Sequence, residues 1–204
     1  MDNAALVLRG LGELSEQFSL ISGIWHVIFF AALVLLAAGW RPTHRQAGVV
    51  LALPAFSVSI LSLLTGHYIN GLIFAGLFLI LMILSSRFKE EQVSTGWNIF
   101  SISGALMVLL AWLYTYFFQQ GGFLPYLYGS PMGVIPSPTL SIMIGFTLLF
   151  NAFKSRVWAL VLGLTGLAYG LVNAFWLGIS LDYGLMAGSL ILILIKVIRQ
   201  VERE

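Results

Sequence analysis

The residues that could do chemistry in this chain are few, and they stand near the ends of long apolar stretches. His67 and Asn70 lie in the segment LLTGHYINGL, between two such stretches, and Asn173, Trp176 and Asp182 lie near the junction of two later ones. Imidazole, amide and carboxyl groups can hold a polar solute, and His67 or Asp182 could bind a proton with it. We therefore expect a polar, outward-facing pocket for a small solute. Its predicted lining residues are His26, His67, Asn70, Asn173, Trp176 and Asp182.

The same residues also have simpler roles. Asn70 and Asp182 open apolar runs, where a side-chain oxygen can cap free helix N–H groups. His26 and His67 form a pair that could ligate a haem or a metal, but no third ligand or HExxH motif accompanies them. We therefore predict no cofactor and no metal site. No serine is framed as a nucleophile and there is no phosphate loop, so we predict that the protein is not an enzyme.

Composition indicates the solvent in which these residues must work. The chain has 204 residues, 59% of them hydrophobic and 9% charged, whereas a soluble domain carries about 25% charged residues. A lipid bilayer is therefore the expected partner. The net charge of +2 is too small and too scattered for nucleic-acid binding. The absence of cysteine excludes disulfides and thiolate metal sites.

Seven apolar runs are separated by polar or turn-rich breaks. They cover residues 20–40, 47–65, 69–86, 97–118, 139–153, 157–178 and 181–198. Most approach the length of about 20 residues that a helix needs to cross a bilayer, and lipid-exposed backbone must be satisfied within the segment. We predict an all-α integral membrane protein with seven transmembrane helices. The fifth run is short, so either the membrane thins there or the preceding GVIPSPT segment enters the protein.

Basic residues predict the orientation. Nine of the ten Lys and Arg residues follow the first, third, fifth and seventh runs. This places the N-terminus outside and the C-terminus in the cytoplasm of a bacterial inner-membrane protein. The exception, Arg9, lies in an N-terminal outer segment, residues 1–19, which is either an interfacial helix or a disordered tail.

An internal repeat is indicated at an offset of 112 residues. It lays GHYINGLIFAGLFLILMI (66–83) over GISLDYGLMAGSLILILI (178–195). The alternative is chance similarity between apolar sequences. A duplication predicts a parallel 3+1+3 layout. Its parts are a three-helix unit 20–86, a linker helix 87–118, an outer loop 119–138 that would act as a lid, and a second three-helix unit 139–204 with a basic cytoplasmic tail.

This layout resembles that of SWEET-type transporters, and GLVNAFWLGISLD is similar to their Asn and Trp before a polar turn. Their set of prolines is missing, since Pro54 pairs with Gly166 at this offset. AFSVSILSLLTGHYINGLIFAGLF and GVIPSPTLSIMIGFTLLF resemble a bacterial family of multi-pass membrane proteins of unknown function. The motif positions are His67, Asn70, Pro136, Pro138 and Thr139, with Ser137 where some members carry cysteine. The resemblance implies the fold and no known activity.

These features predict a small-solute permease. The alternative is a non-transporting membrane subunit or scaffold that docks a partner, because the cytoplasmic loops are small. A haem- or metal-binding membrane protein is the third hypothesis. Glycines at 163, 166 and 170 recur on one helix face, which favours close helix packing, a sliding surface for alternating access or a homodimer seam.

Overall fold

Eight α-helices make up most of the chain that the structure, a computed structural model, describes: residues 3–96, 98–114 and 129–201. In chain order they are α1 (Asn3–Gln17), α2 (Ser19–Ala37), α3 (His44–Leu64), α4 (Tyr68–Ser86), α5 (Ile99–Leu113), α6 (Pro136–Leu149), α7 (Arg156–Leu171) and α8 (Asp182–Val201). A 3₁₀ helix, Asn151–Lys154, precedes α7, and a π-helix, Val172–Trp176, follows it. These ranges contain no strand, only a single bridge between Thr43 and Gln92. The prediction of an all-α protein is confirmed.

Helices α2 to α8 coincide with the seven predicted apolar runs. Among the described residues, four segments are long and apolar enough to cross a membrane: Ser19–Ala37, His44–Leu64, Tyr68–Ser86 and Arg156–Trp176. Helix α5, helix α6 and the apolar part of α8, Asp182–Ile195, are shorter. Residues 97 and 115–118 of the predicted fourth run lie outside the described residues. The chain therefore carries the helices of a membrane protein, with four candidate spans.

Helices on the outside of the bundle expose apolar side chains. Leu20 of α2 and Ile69 of α4 are each 77% exposed. A contiguous apolar surface of this kind is unfavourable in water and typical of a surface that meets lipid. Helix α6 has the opposite character, because every residue from Pro136 to Leu148 is buried. The other helices thus enclose α6, which is the centre of the fold.

The segment that leads into α6 is irregular, yet residues 129–135 are buried. The N–H of Gly133 donates to Thr139 Oγ1 at 2.8 Å, and its carbonyl accepts from Ser57 Oγ at 2.6 Å. Protein groups therefore satisfy this backbone, as buried irregular structure requires. This agrees with the prediction that GVIPSPT enters the protein.

The boundaries of α6 differ from those of the predicted fifth run. The helix begins at Pro136, so the last three residues of the predicted outer loop 119–138 are helical. Residues 119–128 of that loop lie outside the described residues. Because residues 129–138 belong to the core, they cannot form the expected lid.

The end of α6 also comes earlier than predicted, at Leu149 rather than residue 153. Asn151 to Lys154 follow with φ between 51° and 56°, a left-handed turn without glycine. Such a conformation costs about 1–2 kcal/mol per residue. Aromatic packing offsets part of this cost, since the Phe153 ring lies 5.0 Å from the Trp158 ring and 5.3 Å from the Phe88 ring.

Two helix pairs flank the core: α3 with α4, and α7 with α8. The glycine stripe of α7 packs within the chain, against α8. A Cβ on Gly163 would lie 2.7 Å from Ile193, and a Cβ on Gly170 would lie 2.6 Å from Met186. These glycines thus allow close packing of α7 on α8, one of the three roles predicted for them. Helix α3 continues through Pro54.

Replacement of Gly133 tests whether the buried turn holds the bundle together. Gly133 has φ +72°, and a Cβ there would lie 2.0 Å from Trp25 Cδ1. Gly66 has φ +81° with nothing near its Cβ position. Gly66→Ala should therefore lower the free energy of unfolding by about 1–2 kcal/mol for the backbone alone. Gly133→Ala should lower the free energy of unfolding by roughly 1–3 kcal/mol more, because the added Cβ overpacks the contact with Trp25.

The measurement is unfolding of the purified protein in mixed micelles. Equal losses in the two variants would show that the Trp25 contact does not stabilise the fold.

Candidate functional site

A cavity of ≈ 570 Å³ lies between α1, α4, α6 and α7. Its polar lining consists of four side chains: His67, Asn70, Tyr169 and Asn173. Gly10 and Leu11 of α1 line the same space, together with Ile135 and Pro136 at the start of α6. The volume lies in the range of about 300–1,000 Å³ that small-molecule sites occupy. We call this space the polar cavity.

Asn70 and Tyr169 bond to each other across the polar cavity. The Tyr169 hydroxyl donates to Asn70 Oδ1 at 2.9 Å, which joins α7 to α4. Helix α4 begins at Tyr68, so Asn70 is inside the helix. The alternative prediction that Asn70 caps this helix is wrong, because its oxygen bonds to a tyrosine from another helix. Asn70 also lines the polar cavity.

Asn173 stands at the inner side of the polar cavity. It lies in the π-helix, where the backbone widens after α7, and its Nδ2 donates to Ser137 Oγ at 2.7 Å. π-Helical turns are rare in proteins, and those that occur are frequently found at functional sites. In this turn Asn173 lies within hydrogen-bond distance of Ser137 on α6.

Behind Asn173 lies a second set of polar side chains, which we call the inner cluster: Tyr114, Ser137, Ser141 and Asp182. All four are buried, and the Tyr114 hydroxyl donates to Asp182 Oδ1 at 3.0 Å. Ser137 and Asn173 adjoin the same carboxyl, and Ser141 adjoins the Tyr114 hydroxyl. Asp182 opens α8, but its oxygen bonds to Tyr114 rather than to a helix N–H, so the capping role predicted for it is also wrong.

The remaining predicted site residues lie elsewhere. His67 is exposed in the turn between α3 and α4, bonded to Thr65 Oγ1 at 3.1 Å, and it lines the polar cavity. Trp176 is 77% exposed and is not a lining residue of that cavity. The structure thus brings His67, Asn70 and Asn173 to one cavity and Asp182 to the adjoining inner cluster.

His26 occupies a separate groove between α2 and α5. Its Nδ1 bonds to the carbonyl of Ser22 at 2.8 Å, and its ring lies edge-on to Trp112 at 5.6 Å. His26 and His67 therefore line different spaces and do not form the shared haem or metal site that the third hypothesis requires. In the described ranges, no three His, Cys, Asp or Glu residues are grouped so that they could hold a metal ion.

The sequence analysis missed four functional residues: Tyr114, Tyr169, Ser137 and Ser141. Each lies in or beside an apolar run, where hydropathy counts it as part of a helix. The available signal was the hydroxyl itself, because a hydroxyl within an apolar helix can form a hydrogen bond to another helix.

Comparisons with protein-family models, with curated proteins and with solved structures find no match to this chain. The resemblances to a multi-pass bacterial family and to SWEET-type transporters therefore stay predictions. Function is inferred from the polar cavity and the inner cluster alone.

A double-mutant cycle tests the bond that crosses the polar cavity. Asn70→Ala and Tyr169→Phe each remove one partner of the same hydrogen bond. Their effects on the free energy of unfolding should be coupled by about 0.6 kcal/mol, the average for such bonds between membrane helices. The matched control is Tyr183→Phe, since Tyr183 packs on Phe175 at the surface. A cycle of Asn70→Ala with Tyr183→Phe should be additive. Additivity in both cycles would contradict the observed bond.

Proposed function

We propose that the protein is a small-solute permease of a bacterial inner membrane. It would cross the bilayer seven times, with the N-terminus outside and the C-terminus in the cytoplasm. The four long apolar segments support the membrane location, and the shorter α5, α6 and α8 would complete the crossings. The alternation of basic residues along the chain supports the orientation.

The observation that carries this proposal is the position of the polar cavity. His67 and Asn70 come from the α3–α4 pair, whereas Tyr169 and Asn173 come from α7 and its π-helix, which pair with α8. These pairs correspond to each other in the proposed 3+1+3 repeat. Transporters built from repeats bind their substrates between the repeats, where a relative movement can open the site to either side.

The lining chemistry favours an uncharged polar solute. The described residues that line the polar cavity include no Asp, Glu, Lys or Arg. They offer an amide from Asn70, an amide from Asn173, a phenol and an imidazole, all of which donate or accept hydrogen bonds. A neutral solute with several hydroxyl or amide groups matches this set, because each polar group of the site would then be paired.

A ligand-dependent thermal shift tests the proposed site. The purified protein would be screened with sugars, nucleosides, amino acids and organic acids. A solute that binds only the folded state stabilises it, by about 2.7 kcal/mol at one hundred times its dissociation constant. We expect a neutral hydroxyl-rich compound to raise the melting temperature of the wild type. The shift should be lost in Asn173→Leu and kept in Trp176→Leu, because only Asn173 lines the cavity.

Uptake of the same compound into liposomes that contain the protein distinguishes a permease from a receptor. If no compound in the panel raises the melting temperature and a partner protein co-purifies in stoichiometric amount, the result would contradict the permease and support a membrane scaffold. A shift that Asn173→Leu retains would place the solute outside the polar cavity.

A further inference from the structure

The inner cluster contains two buried polar atoms that have no hydrogen-bond partner among the residues that the structure describes. They are Asp182 Oδ2 and Ser141 Oγ, and both residues are 0% exposed. Unpartnered buried polar atoms are rare in folded proteins because each loses its hydration without a replacement bond. Two such atoms beside the same Tyr114 hydroxyl indicate a binding site for an ion or group that is not one of the protein's own side chains.

The carboxyl of Asp182 meets no positive charge in the part of the chain that the structure describes. Tyr114, directly after the C-terminal end of α5, is the one titratable side chain in contact with it there. Helix α6 presents the hydroxyls of Ser137 and Ser141, and the π-helix presents the Asn173 amide. The two remaining tyrosines nearby face away, since Tyr169 of α7 bonds to Asn70 and Tyr183 of α8 packs on Phe175.

A buried carboxylate without a positively charged neighbour requires a cation, either a metal ion or a proton. The number of available oxygens decides between these two. A metal ion needs several oxygen ligands at once. Asp182 Oδ1 already accepts from Tyr114, and Ser137 Oγ already accepts from Asn173. Among the described residues of the inner cluster, the oxygens left unpartnered are Asp182 Oδ2 and Ser141 Oγ. Two oxygens are fewer than a metal ion such as Ca²⁺ requires, whereas Oδ2 alone suffices for a proton.

We propose that Asp182 is a proton-binding residue of this protein. A proton from water forms an O–H bond at Oδ2 and converts the carboxylate to a neutral carboxylic acid. Tyr114 holds Oδ1 in place through its hydroxyl. Release of the proton to water restores the carboxylate.

The hydrogen bonds connect this proton to the polar cavity. Asn173 lines the cavity and donates to Ser137 Oγ, and both side chains adjoin the Asp182 carboxyl. A change in the charge of Asp182 therefore changes the hydrogen bonding of a residue that faces the solute. This coupling of solute to proton rests on the proposed permease function, whereas the proton site itself does not.

Infrared spectroscopy of the full-length protein in lipid nanodiscs, without any solute, tests the proton site. Spectra would be recorded in potassium chloride across the pH range in which the protein stays folded. We expect a carbonyl band of a protonated carboxyl that grows as the pH falls and that Asp182→Asn removes. In Tyr114→Phe the band should persist at a shifted frequency, because Oδ1 loses its hydrogen bond. The matched control, Tyr183→Phe, should leave the frequency unchanged.

Three results would overturn the proposal. The first is the absence at every pH of a band that depends on Asp182. The second is an unshifted band in Tyr114→Phe, which stays decisive if Asp182→Asn does not fold. The third is a titration that moves when sodium chloride replaces potassium chloride, since that identifies sodium as the occupant. A failed solute screen together with a co-purifying partner would contradict the permease and leave this band intact, so the two failures are distinguishable.

Discussion

The enclosure of α6 is the constraint on which the rest of the structure depends. Its residues Pro136 to Leu148 and the irregular turn before them are buried, so polar groups there have other groups of the protein, rather than water, to bond to. Gly133 meets this requirement by bonding to Ser57 and Thr139 while the Trp25 ring closes over it. Helices α2, α3 and α6 are held together at one point as a result. The apolar faces of α2 and α4 are left to meet lipid.

The same constraint explains why the polar residues form two connected groups. Ser137 and Ser141 project from a helix without access to solvent, so they lie beside polar side chains from the C-terminal end of α5, from the π-helix and from α8. Ser137 is the junction, because it accepts from Asn173 on the side of the polar cavity and adjoins Asp182 on the other. A permease needs such a connection if a neutral solute is to be moved with an ion. In the proposed permease, the neutral lining would bind the solute and the buried carboxyl would bind the proton.

Sequence alone predicted the helices well, because apolar runs and turn residues are local signals. It placed Asn70, Asn173 and Asp182 near one another for the same reason, as all three stand near the ends of runs. It could not find the partners of these residues, since the bond of Tyr169 to Asn70 joins positions 99 apart in the chain. The alternative role as helix caps that it offered for Asn70 and Asp182 is a local one and is wrong, because distant tyrosines hold both side chains. Burial of residues 129–138 depends on packing that no local pattern records.

Single-cysteine labelling of intact cells tests most directly whether the protein spans the membrane with its polar cavity open to the outside of the cell. The chain has no cysteine, so His67→Cys and Lys89→Cys each introduce one thiol, at opposite ends of α4. The account predicts that a membrane-impermeant maleimide labels His67→Cys in intact cells and reaches Lys89→Cys only after permeabilisation. Labelling of Lys89→Cys in intact cells, or protection of His67→Cys, would contradict the proposed orientation and the outward opening of the cavity.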